Sequence, residues 1–232
     1  NVTGLLYTVK VENVTDELNN YHVTIDGAEV IIAASSGTAV YSGNKAYINA
    51  TADATLTASQ SGLVNKTTGT LAISNGAQNV TNVTSMLYRI KIANISTELN
   101  NQAGTIGTEA NVTSDSGTAV YSSNIIYINA SAAATNITAW RSGFVNKTVS
   151  YGVNDSAQNV TNIIGLLYTI KIVNMTNELG TVLGGNIDGT NAKISTDSGT
   201  VVYNSNKAYI NATATATNLT GWIAGYVNKT GN

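Results

Sequence analysis

The chain has 232 residues, a formal net charge of -2, and neither cysteine nor proline. This balanced charge gives no electrostatic reason to expect nucleic acid or an anionic membrane as a partner, and the lack of cysteine excludes disulfides and thiolate metal sites. Charged residues make up only 10% of the chain, so 31 Asn, 33 Thr and 19 Ser must solvate the surface. No apolar run is long enough to span a bilayer. We expect a processed chain or an excerpt, because no charged and apolar leader precedes NVTGLL.

The first predicted elements lie within residues 1–84. Residues 5–11, LLYTVKV, alternate in polarity and therefore predict a half-buried strand. A Glu-Leu pair comes next, and we interpret it as a turn residue followed by a leucine that reaches the core. The pair recurs in each repeat, as Glu17 and Leu18, Glu98 and Leu99, and Glu178 and Leu179. After the SGT turn around Gly37, residues 47–57 alternate again, with Asn49 on the polar face.

The same elements recur twice more along the chain. Tyr7 is repeated as Tyr88 and Tyr168, at offsets of 81 and 80 residues, and the SGT, YINA and VNKT motifs recur at similar offsets. A repeat of about 80 residues is too long for a solenoid coil and suits a small domain repeated in tandem. We predict an all-β protein with three tandem antiparallel β-sandwich domains, Ig-like or prealbumin-like, at 1–84, 85–164 and 165–232.

The third repeat is predicted to lack its last strand. After VNKT the first two repeats continue with TGTLAISNGAQ and VSYGVNDSAQ, whereas the third reads only Gly231 and Asn232 after Thr230. A sandwich without one strand exposes edges that invite pairing. Either the chain is cut from a longer array, or a neighbouring copy supplies the strand in a head-to-tail contact that builds a fibre.

The second and third repeats carry one additional residue, at Asn136 and Asn218. An insertion inside a strand would move every later side chain to the opposite face. The residue must therefore lie in a turn or a bulge, and we predict a turn, between the strands YINATA and TLTAS of the first repeat.

The order of these motifs resembles a known family. A tyrosine-led strand containing Lys-Ile or Lys-Val is followed by ELN or ELG, then SGT, then YINA, and finally SGFVNKT or AGYVNKT. Over most of each repeat this order resembles the carboxypeptidase-regulatory-like, transthyretin-type β-sandwich repeats of prokaryotic surface proteins. The resemblance implies a seven-stranded sandwich with a structural or adhesive role, and it transfers no catalytic residue to this chain.

Asn-x-Ser/Thr triplets are more than twice as frequent as composition predicts, because about seven are expected by chance and the chain holds 17. Twelve of these are four positions copied three times, and Asn and Thr are also ordinary turn and strand residues. We predict that most of the triplets are N-glycosylated. The predicted sites are Asn1, Asn13, Asn49, Asn65, Asn79, Asn82, Asn94, Asn111, Asn129, Asn136, Asn146, Asn154, Asn159, Asn174, Asn211, Asn218 and Asn228.

Dense N-glycosylation implies export, and glycans would solvate a surface that is poor in charge. We therefore predict an extracellular or cell-surface location and, by analogy, an archaeal surface protein. Covalent glycans are the only non-protein groups expected, with no cofactor and no metal.

The remaining candidate residues are interpreted as structural rather than functional. His22 occurs in the first repeat alone and is predicted to lie on the surface, and Asp26 with Glu29 lacks the spacing of a calcium loop. Lys10 and its two copies lie on the polar face of a strand. We expect these lysines to be solvated rather than crosslinked to Asn through an isopeptide bond.

The predicted function is structural: a heavily N-glycosylated extracellular filament, stalk or surface sheath that self-associates, with head-to-tail strand complementation as one mode of assembly. The alternative is a cell-surface adhesin or carbohydrate-binding module. Trp140 and Trp222, with Phe144 and Tyr226, would then form its sugar-binding platform, although such aromatics more often pack in cores or between domains. No enzyme is predicted, because the sequence offers no convergent cleft of carboxylates.

Overall fold

The computed structural model describes residues 5–22, 24–73, 78–80, 83–183, 186–215 and 217–231. Every regular element in these ranges is a strand, so the predicted all-β class is confirmed. None of the described residues forms a helix that could span a membrane. The strands are β1 (Val9–Val11), β2 (Val14–Asp16), β3 (Val30–Ala34), β4 (Ala39–Ser42), β5 (Lys45–Ile48), β6 (Leu56–Gln60), β7 (Leu63–Val64), β8 (Lys66–Thr67), β9 (Gln78–Val80), β10 (Val83–Tyr88), β11 (Ile90–Ile92), β12 (Ile95–Thr97), β13 (Asn111–Ser114), β14 (Ala119–Ser122), β15 (Ile125–Ile128), β16 (Ala134–Trp140), β17 (Phe144–Val145), β18 (Lys147–Gly152), β19 (Gln158–Val160), β20 (Ile163–Tyr168), β21 (Ile170–Ile172), β22 (Ala192–Thr196), β23 (Val201–Asn204), β24 (Lys207–Ile210), β25 (Leu219–Ile223) and β26 (Lys229–Gly231).

The chain divides into two compact units. The first comprises Asn1–Ile92, Ser114–Asn136 and Ser150–Val160. The second comprises Ala93–Thr113, Ile137–Val149 and Thr161–Asn232. Each unit therefore contains strands from more than one sequence repeat, and the three domain boundaries stay a prediction.

A tight hairpin recurs in every repeat. β4 and β5 pair antiparallel with Ser42 opposite Lys45, and the two residues between them, Gly43 and Asn44, both have φ of 58°. Two consecutive residues with positive φ are typical of the two-residue turns that match the twist of paired strands. The corresponding turns at 123–124 and 205–206 are Ser-Asn and adopt the same conformation.

The first repeat consists of three small sheets around one core. Their strand orders are β4-β5-β1-β9, β2-β10-β7 and β3-β6-β8. Because side chains alternate between the faces of a strand, each sheet directs one apolar row inward. Ile48, Met86 and Ile32, one from each sheet, are among the largest buried side chains of this core.

Sheets with equivalent strand orders recur in the second repeat, and part of them recurs in the third. The sheets of the second repeat are β14-β15-β11-β19, β12-β20-β17 and β13-β16-β18, and those of the third are β21-β24-β23 and β22-β25-β26. Ile170 and Ile172 of β21 are only half-buried, whereas the first and third residues of β1 and β11 are buried. The difference arises because β21 has a neighbour on one side only within the described residues.

Strands that lead into one repeat complete the sheets of the repeat before it. β9 and β10 pair with β1 and β2 of the first repeat, and β19 and β20 pair with β11 and β12 of the second. β11 follows β10 after a single residue, Arg89, yet belongs to a different sheet. All four pairings are parallel, because these strands return after a long connection. The sheets that these four strands join are therefore mixed, whereas other pairings, such as β1 with β5 and β3 with β6, are antiparallel as predicted.

The additional residue of the later repeats lies nearer to the strand than predicted. Asn136 is part of β16, and Asn218 directly precedes β25. In both places an aspartate anchors the strand start: Asp115 accepts the backbone N–H of Asn136 at 2.8 Å, and Asp197 accepts that of Asn218 at 2.9 Å. The prediction of a turn is thus wrong for Asn136, since this carboxylate holds the residue in the extended strand.

Candidate functional site: an apolar groove in the third repeat

Three similar segments open the three repeats, and we call them the leading segments: Leu5–Tyr7, Met86–Tyr88 and Leu166–Tyr168. The second segment lies in β10 between β2 and β7, and the third lies in β20 between β12 and β17. The first residue of each of these two segments is fully buried, and their tyrosines are 5% and 8% exposed. The cores of the first two repeats are therefore closed by side chains of the repeat that follows.

A glutamate clasps the second leading segment. The backbone N–H of Glu17 donates to the carbonyl oxygen of Met86 at 3.0 Å, and its carboxylate accepts the backbone N–H of Tyr88 at 2.9 Å. The same carboxylate forms an ion pair with Lys91, which the following strand presents. Glu17 lies in the turn after β2, as predicted, but its side chain also joins two repeats.

Glu98 clasps the third leading segment in the same way. The backbone N–H of Glu98 donates to the carbonyl oxygen of Leu166 at 3.0 Å. Its carboxylate accepts the backbone N–H of Tyr168 at 3.2 Å and lies 3.7 Å from Nζ of Lys171. Lys91 and Lys171 therefore form ion pairs with glutamates, whereas the sequence predicted lysines that are only solvated. The partners lie more than 70 residues apart, so only their recurrence in every repeat could have indicated the pairing.

A buried carboxylate receives the tyrosine of the second leading segment. Asp16 is fully buried, and its oxygens accept the hydroxyl of Tyr88 at 2.8 Å and the backbone N–H groups of Leu18 and Asn20 at 2.8 Å and 3.0 Å. Burial alone would raise the pKa of Asp16, but the hydrogen bonds from Tyr88, Asn20 and Leu18 outweigh it and lower this pKa below its ordinary value. Burial and the hydrogen bond to Asp16 raise the pKa of Tyr88 well above its ordinary value. His22, predicted to lie on the surface, has Nε2 3.6 Å from Asp16 and a side chain only 18% exposed.

Glycines allow close approach between the first and second repeats and between the second and third. Gly62 and Gly143 have φ of 87° and 83°. A Cβ at these positions would lie 2.2 Å from the carbonyl oxygen of Asn129 and 2.4 Å from that of Asn211, respectively. Gly225 has the same conformation, with φ of 87°, but no described atom lies within 4 Å of its Cβ position. A side chain larger than that of glycine would therefore collide with a neighbouring backbone at Gly62 and Gly143 but would meet no described atom at Gly225.

The third repeat exposes an apolar groove where the first two repeats hold a leading segment. Its walls include residues 175–177, which correspond in sequence to β2, and residues 226–227, which correspond to β7. The groove has a volume of about 700 Å³. Tyr226, Val227 and Leu179 are 51%, 95% and 83% exposed. The prediction that Leu179 reaches the core is wrong, because no described strand covers it.

The leading segment of the first repeat is the exposed counterpart of this groove. Leu5 and Leu6 are 88% and 80% exposed, and Tyr7 is 40% exposed. Lys10, the equivalent of the two clasped lysines, forms an ion pair with Glu12 of its own repeat at 2.8 Å. The described chain therefore exposes a leading segment, Leu5–Tyr7, and an unfilled groove. The equivalent contact between a leading segment and the preceding repeat is formed twice within the chain, by Met86–Tyr88 and by Leu166–Tyr168.

The predicted glycosylation sites are mostly accessible. Asn94, Asn111, Asn129 and Asn211 are half-buried. Asn1 and Asn82 lie outside the described residues, as does the side chain of Asn79. The ten exposed acceptors are Asn13, Asn49, Asn65, Asn136, Asn146, Asn154, Asn159, Asn174, Asn218 and Asn228.

The remaining candidates have ordinary structural partners. Asp26 accepts the backbone N–H groups of Ala28 and Glu29 at 2.8 Å each, which closes a turn. No group of three potential metal ligands is found among the described residues. Trp140 and Trp222 are 41% and 37% exposed, so neither lies in a core.

Comparison with family models, with curated proteins and with solved structures found no match for this chain. The resemblance to transthyretin-type sandwich repeats therefore stays a prediction. The assignment of function depends on the geometry of the leading segments, the groove and the acceptor asparagines.

Proposed function

We propose that this chain is a structural subunit of a heavily N-glycosylated extracellular filament, stalk or surface sheath, built from three tandem β-sandwich domains and assembled head to tail. One observation carries the proposal. Each of two leading segments completes the preceding repeat, while Leu5–Tyr7 and the groove of the third repeat are both exposed. The role is structural rather than enzymatic.

Assembly of this kind has a clear driving force. Burying a large apolar side chain stabilises a contact by about 1.5–3 kcal/mol, and Leu5 and Tyr7 would become buried like their counterparts Leu166 and Tyr168. The backbone of an added strand would also satisfy an exposed sheet edge. Because donor and acceptor are different surfaces of the same chain, the contact is heterologous and extends without closing.

The acceptor asparagines support the surface location. Ten of the described acceptors are exposed, and a chain with only 10% charged residues would gain solubility from attached sugars. N-glycans imply export, so the proposal includes an extracellular, archaeal-type surface protein.

The full chain, isolated from its native source, tests both parts. Electron microscopy and sedimentation over a concentration series should show linear polymers above a threshold concentration. The intact mass of the isolated material should fall clearly after chemical removal of glycans. A chain that stays monomeric at all concentrations would refute assembly, and an unmodified mass would refute glycosylation.

A carbohydrate-binding surface module is the second candidate, and the exposure of Trp140 and Trp222 favours it. Nζ of Lys193 lies 5.1 Å from the centre of the Trp222 ring, so this ring already has a cationic neighbour. Titration with oligosaccharides distinguishes the two functions: binding that quenches tryptophan fluorescence and disappears in Trp140→Ala would favour the adhesin.

A further inference from the structure

We propose that Glu178 of one copy pairs with Lys10 of the next copy, and that this ion pair fixes the register in which Leu5–Tyr7 fills the groove of the third repeat. The inference rests on the head-to-tail assembly proposed above. It names the residues of the junction, which general self-association does not.

The register follows from the junction between the second and third repeats. Phe144 is opposite Tyr168, and Val145 is opposite Leu167. Their counterparts in the groove are Tyr226 and Val227. Tyr7 of the next copy would therefore lie opposite Tyr226, and Leu6 of the next copy opposite Val227.

The second wall gives the same register independently. Leu166 is opposite Thr97 in the parallel pair of β12 and β20. The equivalent of Thr97 in the third repeat is Asn177, which lines the groove. Leu5 of the next copy would therefore lie opposite Asn177. The two walls of the groove therefore give one consistent register for Leu5, Leu6 and Tyr7 of the next copy.

Charge complementarity identifies the clasp. Glu17 and Glu98 each hold a leading segment and pair with the lysine that follows it. Glu178 occupies the equivalent place beside the groove and is exposed. Lys10 follows Leu5–Tyr7 at the same spacing, and Glu12, its present partner, also pairs with Lys45 at 3.2 Å. Lys10 can therefore leave Glu12 without leaving an unpaired carboxylate.

A third contact would complete the junction. Gly62 and Gly143 each pack against the carbonyl oxygen of the asparagine in the next YINA motif. By the same geometry, Gly225 would receive the carbonyl oxygen of Asn49 of the next copy. The open space at Gly225 in this chain matches that of an acceptor surface.

Charge reversal tests the clasp. Lys10→Glu or Glu178→Lys alone should raise the threshold concentration for assembly by about tenfold or more, because like charges would meet at every junction. An equimolar mixture of these two variants should assemble like the wild type, since each junction then joins opposite charges. Lys66→Glu and Glu29→Lys, which reverse exposed charges elsewhere, are the matched controls, and circular dichroism checks that every variant folds.

A glycine substitution provides a test without charge. Gly225→Ala should leave the isolated chain folded, because the added methyl group meets no described atom and the strain of the positive φ costs only about 1 kcal/mol. It should still raise the assembly threshold by about tenfold, whereas Gly43→Ala, also at positive φ and in open space, should not.

The outcomes separate this inference from the proposed function. Wild-type chains that never assemble would refute the proposed function and this junction with it. Wild-type chains that assemble while Lys10→Glu, Glu178→Lys and Gly225→Ala behave like the wild type would refute this junction alone. The same holds if the mixture of charge variants fails to assemble.

Discussion

At the scale of single residues, asparagine has two distinct roles in the acceptor triplets. The side-chain oxygen of Asn49 accepts the backbone N–H of Thr38 at 2.8 Å and its hydroxyl at 3.0 Å. Asn129 and Asn211 do the same in the later repeats. These contacts tie the SGT turn to the end of the YINA strand and explain why this asparagine recurs. They use the oxygen, so the nitrogen that carries a glycan is not needed for them.

Asn136 and Asn218 use the opposite end of the amide. Their Nδ2 atoms donate to Asp115 and Asp197 at 2.8 Å and 2.7 Å. We expect lower glycan occupancy at these two sites than at Asn49, because the acceptor nitrogen is engaged by a carboxylate.

Glycopeptide mass spectrometry of the native protein measures this difference. The substitution Asp115→Ala should raise occupancy at Asn136 while occupancy at Asn49 stays unchanged. Equal occupancy at Asn136 in both proteins would contradict the argument and would indicate modification before folding.

A second prediction at this scale concerns Asp16. Its folded pKa is lowered, so its contribution to stability is present above the unfolded pKa of about 3.9 and is lost as the pH falls through the folded value. Asp16→Asn should cost about 2 kcal/mol of unfolding free energy at neutral pH. The difference between variant and wild type should shrink in acid. Urea denaturation at several pH values measures this difference.

Asp26→Asn is the matched control for Asp16. Backbone N–H groups of Glu29 and Ala28 also lower the pKa of Asp26, but this residue is exposed. Its substitution should therefore change stability less. Equal losses in the two variants would mean that burial of Asp16 and its contact with Tyr88 contribute little.

At the scale of elements, the sequence Leu-Leu-Tyr occurs in two different environments. Leu166, Leu167 and Tyr168 form part of a central strand in a three-stranded sheet, whereas Leu5, Leu6 and Tyr7 have the identical sequence and lie exposed. Local propensity therefore does not decide whether the segment is buried. The presence of two flanking strands, β12 and β17, decides it.

This comparison predicts contrasting effects of one substitution. Leu166→Ala removes a fully buried side chain and should lower the unfolding free energy by about 3 kcal/mol. Leu5→Ala should leave the stability of the isolated chain nearly unchanged, because Leu5 is 88% exposed, but should weaken assembly. Chemical denaturation and sedimentation measure the two effects. A large loss of stability in Leu5→Ala would show that this residue already packs within its own chain.

At the scale of the whole molecule, apolar exposure is concentrated at two places. Among the described large hydrophobic side chains, four are at least 80% exposed, and each belongs to the first leading segment or to the groove. They are Leu5, Leu6, Leu179 and Val227. Exposed apolar patches of this kind mark interaction sites. Both patches are parts of one interface if copies bind head to tail.

A shortened chain tests this arrangement. A chain without residues 1–7 keeps the groove but has no leading segment to donate, so we expect it to fold and to remain monomeric. Added in small amounts to the full chain, it should end growing polymers and reduce their mean length. Dynamic light scattering or electron microscopy measures that length. Unchanged polymers would contradict donation by this segment.

Much of the strand pattern can be predicted from the sequence, and the sharing of strands cannot. Period-two alternation locates the strands around Val9 and Ile48, because one side of each must face a core. The same alternation runs through LLYTVKV without a break, yet the structure divides its counterpart at Arg89 between two sheets. The division depends on pairing with strands far away in the chain, which leaves no local pattern.

Sequence motifs are enough to predict the repeat, the all-β class, the SGT turns and the positions of the acceptor triplets, because each of these can be recognised from short stretches of the chain. The pairing of the strands and the ion pair between Glu17 and Lys91 follow instead from the way that the chain folds. Those contacts join residues about one repeat apart, and they are selected by which apolar surfaces fit together. Alternation shows that a strand has a buried side, but only folding determines what covers it.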